Sequence, residues 1–187
     1  MKNNRDMKII LIHGNGGATA NDHWFPWLRT KLLKFGVKVI AKTFPDNQLA
    51  RQKYWLPFIE ELGADEKTIL IGHSSGGVAV MRYSQSHKIV GSALISVNYT
   101  DLGDKNEKSS GYYDEPWLWE KIRKNQKWII QFASKDDPYI PISQARHIHH
   151  KLKTDYYEFE NHGHFGDPSH KTLEFKELLE AIKRRIT

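Results

Sequence analysis

The sequence predicts a single α/β domain in which a parallel six-stranded sheet carries helices on both faces. Three observations point there: six apolar runs of strand length, stretches of helical spacing between them, and glycines that close the first two of those stretches. The runs fall at residues 7–13, 37–42, 68–71, 89–97, 128–133 and 155–159, and they read as buried strands. The helical stretches fall at 22–35, 48–62, 76–87, 116–124, 142–151 and 171–186. Gly36 and Gly63 follow the first two, where a helix commonly ends in a left-handed residue. Strand and helix alternate throughout, which implies right-handed crossovers between parallel strands. Ligands of such sheets bind beyond the carboxyl ends of the strands. No repeat, low-complexity tract or linker interrupts the pattern, so one domain is expected over residues 1–187.

Composition narrows the function classes. With 187 residues and 39% hydrophobic content the chain can bury a substantial core. It has no cysteine, which excludes a disulfide framework, a thiolate zinc site and a cysteine nucleophile. The start, MKNNRDMKIILIH, has too short an apolar run for a signal peptide, and no segment approaches the ~20 apolar residues that span a bilayer. A cytoplasmic protein without membrane association is expected. The net charge of +6 invites a nucleic-acid reading, but 28 basic residues are spread among 22 acidic ones. The only compact basic run, Lys183-Arg184-Arg185, reads as a solvated helix face, so no nucleic-acid partner is expected. His147, His149 and His150 lack a carboxylate that would complete a zinc pattern, and His149 and His150 point to different faces of a helix. Neither metal nor cofactor is expected.

Chemistry concentrates in ILIGHSSGG, residues 69–77, where Gly72, Ser74 and Gly76 match Gly-x-Ser-x-Gly at the junction of a strand and a helix. A serine at the apex of such a turn is held in a strained conformation, and glycines provide room for the strand and helix to close around it. The competing reading is a simple Gly/Ser turn that caps the helix. A serine nucleophile also needs a base and an orienting carboxylate, which on this architecture follow in the order Ser, Asp, His. Asp136 and Asp137 follow the fifth strand, and His162 and His164 follow the sixth; the residues alone leave each choice open. For the oxyanion, the Ser75 N–H is one donor, and His13-Gly14-Asn15-Gly16-Gly17 after the first strand supplies the Asn15 N–H as the other. A dinucleotide-binding loop fails there. Thr19 stands where the third glycine belongs, and Lys42 rather than an acid ends the second strand.

The chain resembles a small α/β-hydrolase, and more closely the retinoblastoma-binding protein 9 family of serine hydrolases. The resemblance runs through GNGG (14–17), WLPF (55–58), DEKTI (65–69), GHSSG (72–76), MRY (81–83), DLGD (101–104), SGY (110–112), PW (116–117), DDP (136–138) and GHF (163–165). It implies Ser74 as nucleophile, Asp137 as acid and His164 as base. It also implies a trimmed fold, lacking the first two strands of a full α/β-hydrolase, with strand order 2-1-3-4-5-6. One departure concerns partners. Family members that bind retinoblastoma-type pocket proteins are credited with a Leu-x-Cys-x-Glu segment, and Ala64 replaces its cysteine here, which puts that partner in doubt.

Substrate is the least legible property. Residues 98–115 form a long polar stretch where hydrolases of this fold insert lids, and it either covers the site or is a surface excursion. Trp24, Tyr99, Tyr112 and Trp117, together with Phe25, Trp27, Tyr113 and Trp119, are candidates to line an acyl pocket. Without a large cap domain, the expected partner is a small-molecule substrate, an ester, thioester or amide, cleaved through an acyl-enzyme. The alternative is a hydrolase-like binding protein whose triad is vestigial or secondary.

Overall fold

The computed structural model describes residues 7–166 and 171–187; the charged amino-terminal start at 1–6 and residues 167–170 lie outside the described residues. Strands β1 (Lys8–Ile12), β2 (Lys38–Ala41), β3 (Thr68–His73), β4 (Gly91–Ile95), β5 (Ile129–Ser134) and β6 (Asp155–Phe159) pair in the order β2-β1-β3-β4-β5-β6. Every pairing is parallel. Fold class and strand order agree with the expectation.

The four central strands are mostly apolar and buried because both faces of the sheet are covered there, whereas the edge strands β2 and β6 are partly exposed. Successive side chains of a strand point to opposite faces. Ile9, Leu11, Ile69, Ile71 and Ile95 therefore pack with Leu28 of α1 (Phe25–Lys34) and Leu178 and Ile182 of α7 (Lys176–Ile186). Ile10, Ile12, Leu70 and Leu94 turn the other way. They meet Trp55 of α2 (Gln52–Glu61), Val78 and Met81 of α3 (Ser75–Tyr83), Ile122 of α5 (Trp119–Lys124) and Ile148 of α6 (Ile142–Leu152). Each such aliphatic side chain contributes about 1.5–3 kcal/mol on burial, so these two cores carry most of the driving force. Gln131 is a polar residue in the middle of β5. It is fully buried, and its amide is satisfied by the Ala145 carbonyl and the Thr154 hydroxyl.

Helix boundaries required correction where caps and turns extend the apolar pattern. Helix α1 begins at Phe25, with proline in its first turn, rather than at residue 22. Helix α2 begins at Gln52 rather than 48, because Arg51 is extended (φ −63°, ψ 134°) and its guanidinium is held by Asp46. Helices α5 and α7 begin at Trp119 and Lys176 rather than at 116 and 171. Gly36 and Gly63 do end α1 and α2 in the left-handed region, each with φ +77°. The 98–115 segment is not featureless: it carries α4 (Lys105–Ser109), whose first N–H groups, of Asn106 and Glu107, donate to the Asp104 carboxylate.

Candidate active site

The candidate site gathers at the carboxyl ends of β1, β3, β5 and β6. Ser74 follows β3 with φ +54° and ψ −125°, outside the conformations open to an ordinary side chain. Such a residue costs on the order of 1–3 kcal/mol and persists only if its surroundings enforce it. Here they do. The Ser74 N–H donates to the Ile95 carbonyl at 2.8 Å, and its own carbonyl accepts from Gly77 and Val78 N–H groups at 2.9 and 3.1 Å. The flanking glycines are steric requirements. A Cβ on Gly76 would lie 2.3 Å from the Ile12 carbonyl oxygen, one on Gly72 2.5 Å from Gly76 backbone, and one on Gly77 2.2 Å from Val97 Cγ1.

Beyond β5 and β6 the two aspartates take different partners. Asp137 directs Oδ2 at His164 Nδ1, 2.8 Å away, while its Oδ1 accepts from Tyr139 and Ile140 N–H groups at 2.9 and 3.0 Å. The carboxylate is almost wholly buried, with 3% of its side-chain surface exposed, and this pairing places the imidazole proton on Nδ1. Asp136 turns to the backbone. Its Oδ1 accepts from the Ser134 hydroxyl at 2.5 Å and from the His162 and Gly163 N–H groups at 3.1 and 2.9 Å. Asp136 thus holds the loop that presents His164, whereas His162 lies against Phe159 and Phe165.

Two further donors anchor that loop from below. His73 Nε2 donates to the His164 carbonyl at 2.7 Å, and Trp24 Nε1 donates to the Phe165 carbonyl at 3.0 Å. Burial, followed by the neighbouring His164, keeps His73 neutral by pushing its pKa well below the ordinary histidine value.

After β1 the glycine loop passes directly over Ser74. A Cβ on Gly14 would lie 3.2 Å from Ser74 Cβ, so only glycine allows this approach without displacement. The buried His13 starts the loop: its Nδ1 donates to the Gly14 carbonyl and its Nε2 accepts from the Phe44 N–H, both at 2.8 Å. Gly16 and Gly17 spend their N–H groups on the Gln48 and Asn47 carbonyls, each at 3.1 Å. The Asn15 N–H has no acceptor among the described residues. The Ser75 N–H, in the first turn of α3, belongs to the donors that a helix leaves unpaired.

Ser74, His164 and Asn15 open onto one cleft of about 830 Å³, a volume suited to a small ligand. A model of the serine hydrolase family matches residues 9–179 of this chain. The chain belongs to the serine hydrolase family. This hydrolase is 43% identical over 183 residues to the serine hydrolase RBBP9 of Rattus norvegicus, an alignment covering 96% of each chain. Its fold is similar to that of the ydeN gene product of B. subtilis, at TM-score 0.87 and 24% identity over 96% of this chain and 98% of that one. It is also similar to Est1E from Butyrivibrio proteoclasticus solved with ferulic acid, at TM-score 0.73 and 16% identity over 98% and 89% of the two chains. The fold is that of the α/β-hydrolases.

The aromatic candidates for the pocket wall stand elsewhere in the hydrolase, which corrects the sequence expectation. Trp24 and Tyr112 are fully buried in the cores. Tyr99 stacks on His147, and Trp117 stacks on Trp119 beneath the Arg82 guanidinium. None of the four lines the cleft. Instead its wall is mixed, with Asp22, Gln48, Asn98, Asp104 and Glu107 beside Leu102, Pro138, Tyr139 and Ile140. The 98–115 segment supplies much of one side. The roles of His73, Asp136 and Glu107 were not read from sequence; the only signal was their place inside the GHSSG and DDP motifs and just after DLGD. Among the described residues no group of His, Asp or Glu could hold a metal ion, and no helix is long and apolar enough to cross a membrane.

Proposed function

We propose that this serine hydrolase cleaves a small ester, thioester or amide through an acyl-enzyme, with Ser74 as nucleophile, His164 as base and Asp137 as the orienting acid. The observation that carries the proposal is that a strained serine and a carboxylate-bound imidazole line the same cleft. Ser74 Oγ attacks the substrate carbonyl as His164 Nε2 takes the hydroxyl proton. The carbonyl π electrons move to oxygen, and the Asn15 and Ser75 N–H groups hold the resulting oxyanion. On collapse, the leaving group departs with the proton from His164. Water, deprotonated in turn by His164, then attacks the acyl-serine and releases the acid and a restored Ser74. Asp137 fixes the imidazole with its proton on Nδ1 and stabilises the imidazolium that forms.

A cleft of about 830 Å³ favours short acyl groups over long lipid chains. The test is a panel of short acyl esters, thioesters and amides run beside labelling with a fluorophosphonate and mass-spectrometric peptide mapping. The wild-type protein should carry label on Ser74 alone. Ser74→Ala should abolish labelling and lower kcat by ~10⁶, and Ser75→Ala, which keeps its N–H, should cost little. Label on Ser75, or none on folded protein, would refute the assignment.

A further inference from the structure

Among the cleft residues without a part in this mechanism, Glu107 is tied most closely to one that has a part. It projects from α4 into the cleft, and each carboxylate oxygen has its own partner. Oε1 accepts from Asn15 Nδ2 at 2.8 Å, and Oε2 accepts from the Tyr113 hydroxyl at 2.9 Å. The chain continues. Asn98 Nδ2 donates to the Tyr113 oxygen at 2.7 Å and to the Thr100 carbonyl at 2.8 Å, and Asn98 is buried just past β4. Burial, reinforced by the Glu107 charge, raises the Tyr113 pKa far above the usual tyrosine value, so the phenol remains a donor. A continuous line of hydrogen bonds therefore runs from the loop after β1, over the cleft, to the end of β4.

The backbone of Glu107 is itself fixed. Its N–H donates to Asp104 at 3.0 Å, its carbonyl accepts from the Ser110 hydroxyl at 2.5 Å, and the Ser110 carbonyl accepts from Gln52 N–H at 2.8 Å. Asn15, by contrast, lies among residues that supply little stiffness: Gly14 precedes it, and Gly16 and Gly17 follow at φ +68° and +84°. An oxyanion donor works only if it is already aimed at the developing charge. The Gly16 and Gly17 N–H groups tether the far side of the loop, while the Asn15 side chain is held by Glu107.

We propose that Glu107 is a positioning residue. Through the Asn15 side chain it sets the direction of the Asn15 N–H, so that the 98–115 segment contributes to transition-state stabilisation and not merely to covering the cleft. This rests on the reading of Asn15 as an oxyanion donor.

Hydrolysis of a p-nitrophenyl ester of a short acyl group and inhibition by a short alkylboronic acid, which forms a tetrahedral adduct with the nucleophile, test it together. Glu107→Ala should lower kcat by about 10–100-fold, less than the ~10²–10³ of a deleted oxyanion donor, with KM within about threefold. Boronate affinity should fall by the same factor as kcat. Glu107→Gln, whose carbonyl can still accept from Asn15, should recover part of the loss. Asn15→Ala keeps the backbone N–H but removes the tether, so it should match Glu107→Ala, and the double variant should be no worse than either. This arm also serves if Glu107→Ala fails to fold. Additive losses, unchanged kcat, or a raised KM at unchanged boronate affinity would each overturn the proposal. A wild-type protein that fluorophosphonate does not label would instead refute the hydrolase mechanism, and this inference with it.

Discussion

Replacing each of the neighbouring aspartates by asparagine should separate catalysis from stability. In Asp137→Asn, the amide oxygen can keep the Tyr139 and Ile140 N–H groups, which leaves its NH2 facing His164. The imidazole can satisfy that donor only by moving its own proton to Nε2, the position that must accept the Ser74 proton. Loss of a charge-assisted hydrogen bond alone would be worth about 1.5–3 kcal/mol, or roughly 10–150-fold. The wrong tautomer adds to this, so kcat should fall by ~10⁴, about 5.4 kcal/mol. A hydrogen bond survives in the altered pair, and the Tm should stay within about 2 °C. In Asp136→Asn the oxygen still accepts from Ser134, His162 and Gly163, but without charge. That should cost about 1–2 kcal/mol and lower the Tm by about 2–8 °C while kcat changes by less than about tenfold. Steady-state hydrolysis of a short acyl ester and a thermal scan of both variants give the answer. Equal losses of kcat, or a larger loss in Asp136→Asn, would refute the assignment of acid and loop-holding roles.

Three other outcomes are expected. Gly76→Ala would drive a methyl group to 2.3 Å from the Ile12 carbonyl oxygen, so urea unfolding should show a loss above the ~1–3 kcal/mol of ordinary overpacking; Gly16→Ala meets nothing within 4 Å and should cost only the ~1 kcal/mol of its positive φ. Burial holds the pKa of both His13 and His73 below 6.5 in the folded protein. Between those values and 6.5 the unfolded chain binds the extra protons, so this stability is present above pH 6.5 and is lost as pH falls, at up to about 1.4 kcal/mol per pH unit for each histidine. His73→Gln should flatten the slope of unfolding free energy against pH by about that amount. Trp24→Phe removes the donor to the Phe165 carbonyl while keeping the ring in the core; it should reduce kcat several-fold with KM unchanged, and an unaltered kcat would show that the base loop does not need this anchor.

Sequence by itself determined the architecture, because the forces that set it are local or periodic. The unbroken apolar stretches Ile9–Ile12 and Ile69–Ile71 point to strands covered on both faces, and Gly36 and Gly63 end helices where a left-handed residue is needed. The addresses of the candidate site were legible for the same reason: on a parallel sheet each strand's carboxyl end reaches the same edge, so GHSSG, DDP and GHF were bound to meet there. Tertiary structure decided everything that depends on which atoms face one another across long separations in the chain. Asp136 and Asp137 are chemically identical neighbours, and only the direction of each carboxylate, one toward backbone N–H groups and the other toward an imidazole 27 residues away, gives them different partners. The aromatics were misplaced in sequence because tryptophan and tyrosine serve a core as readily as a pocket, and the sequence does not say which face a loop turns inward. The bond from Asn15 to Glu107, across 92 residues, has no local signature at all. It exists because the fold brings two loops over one cleft, and hydrogen-bond geometry, unlike hydrophobic periodicity, is written only in three dimensions.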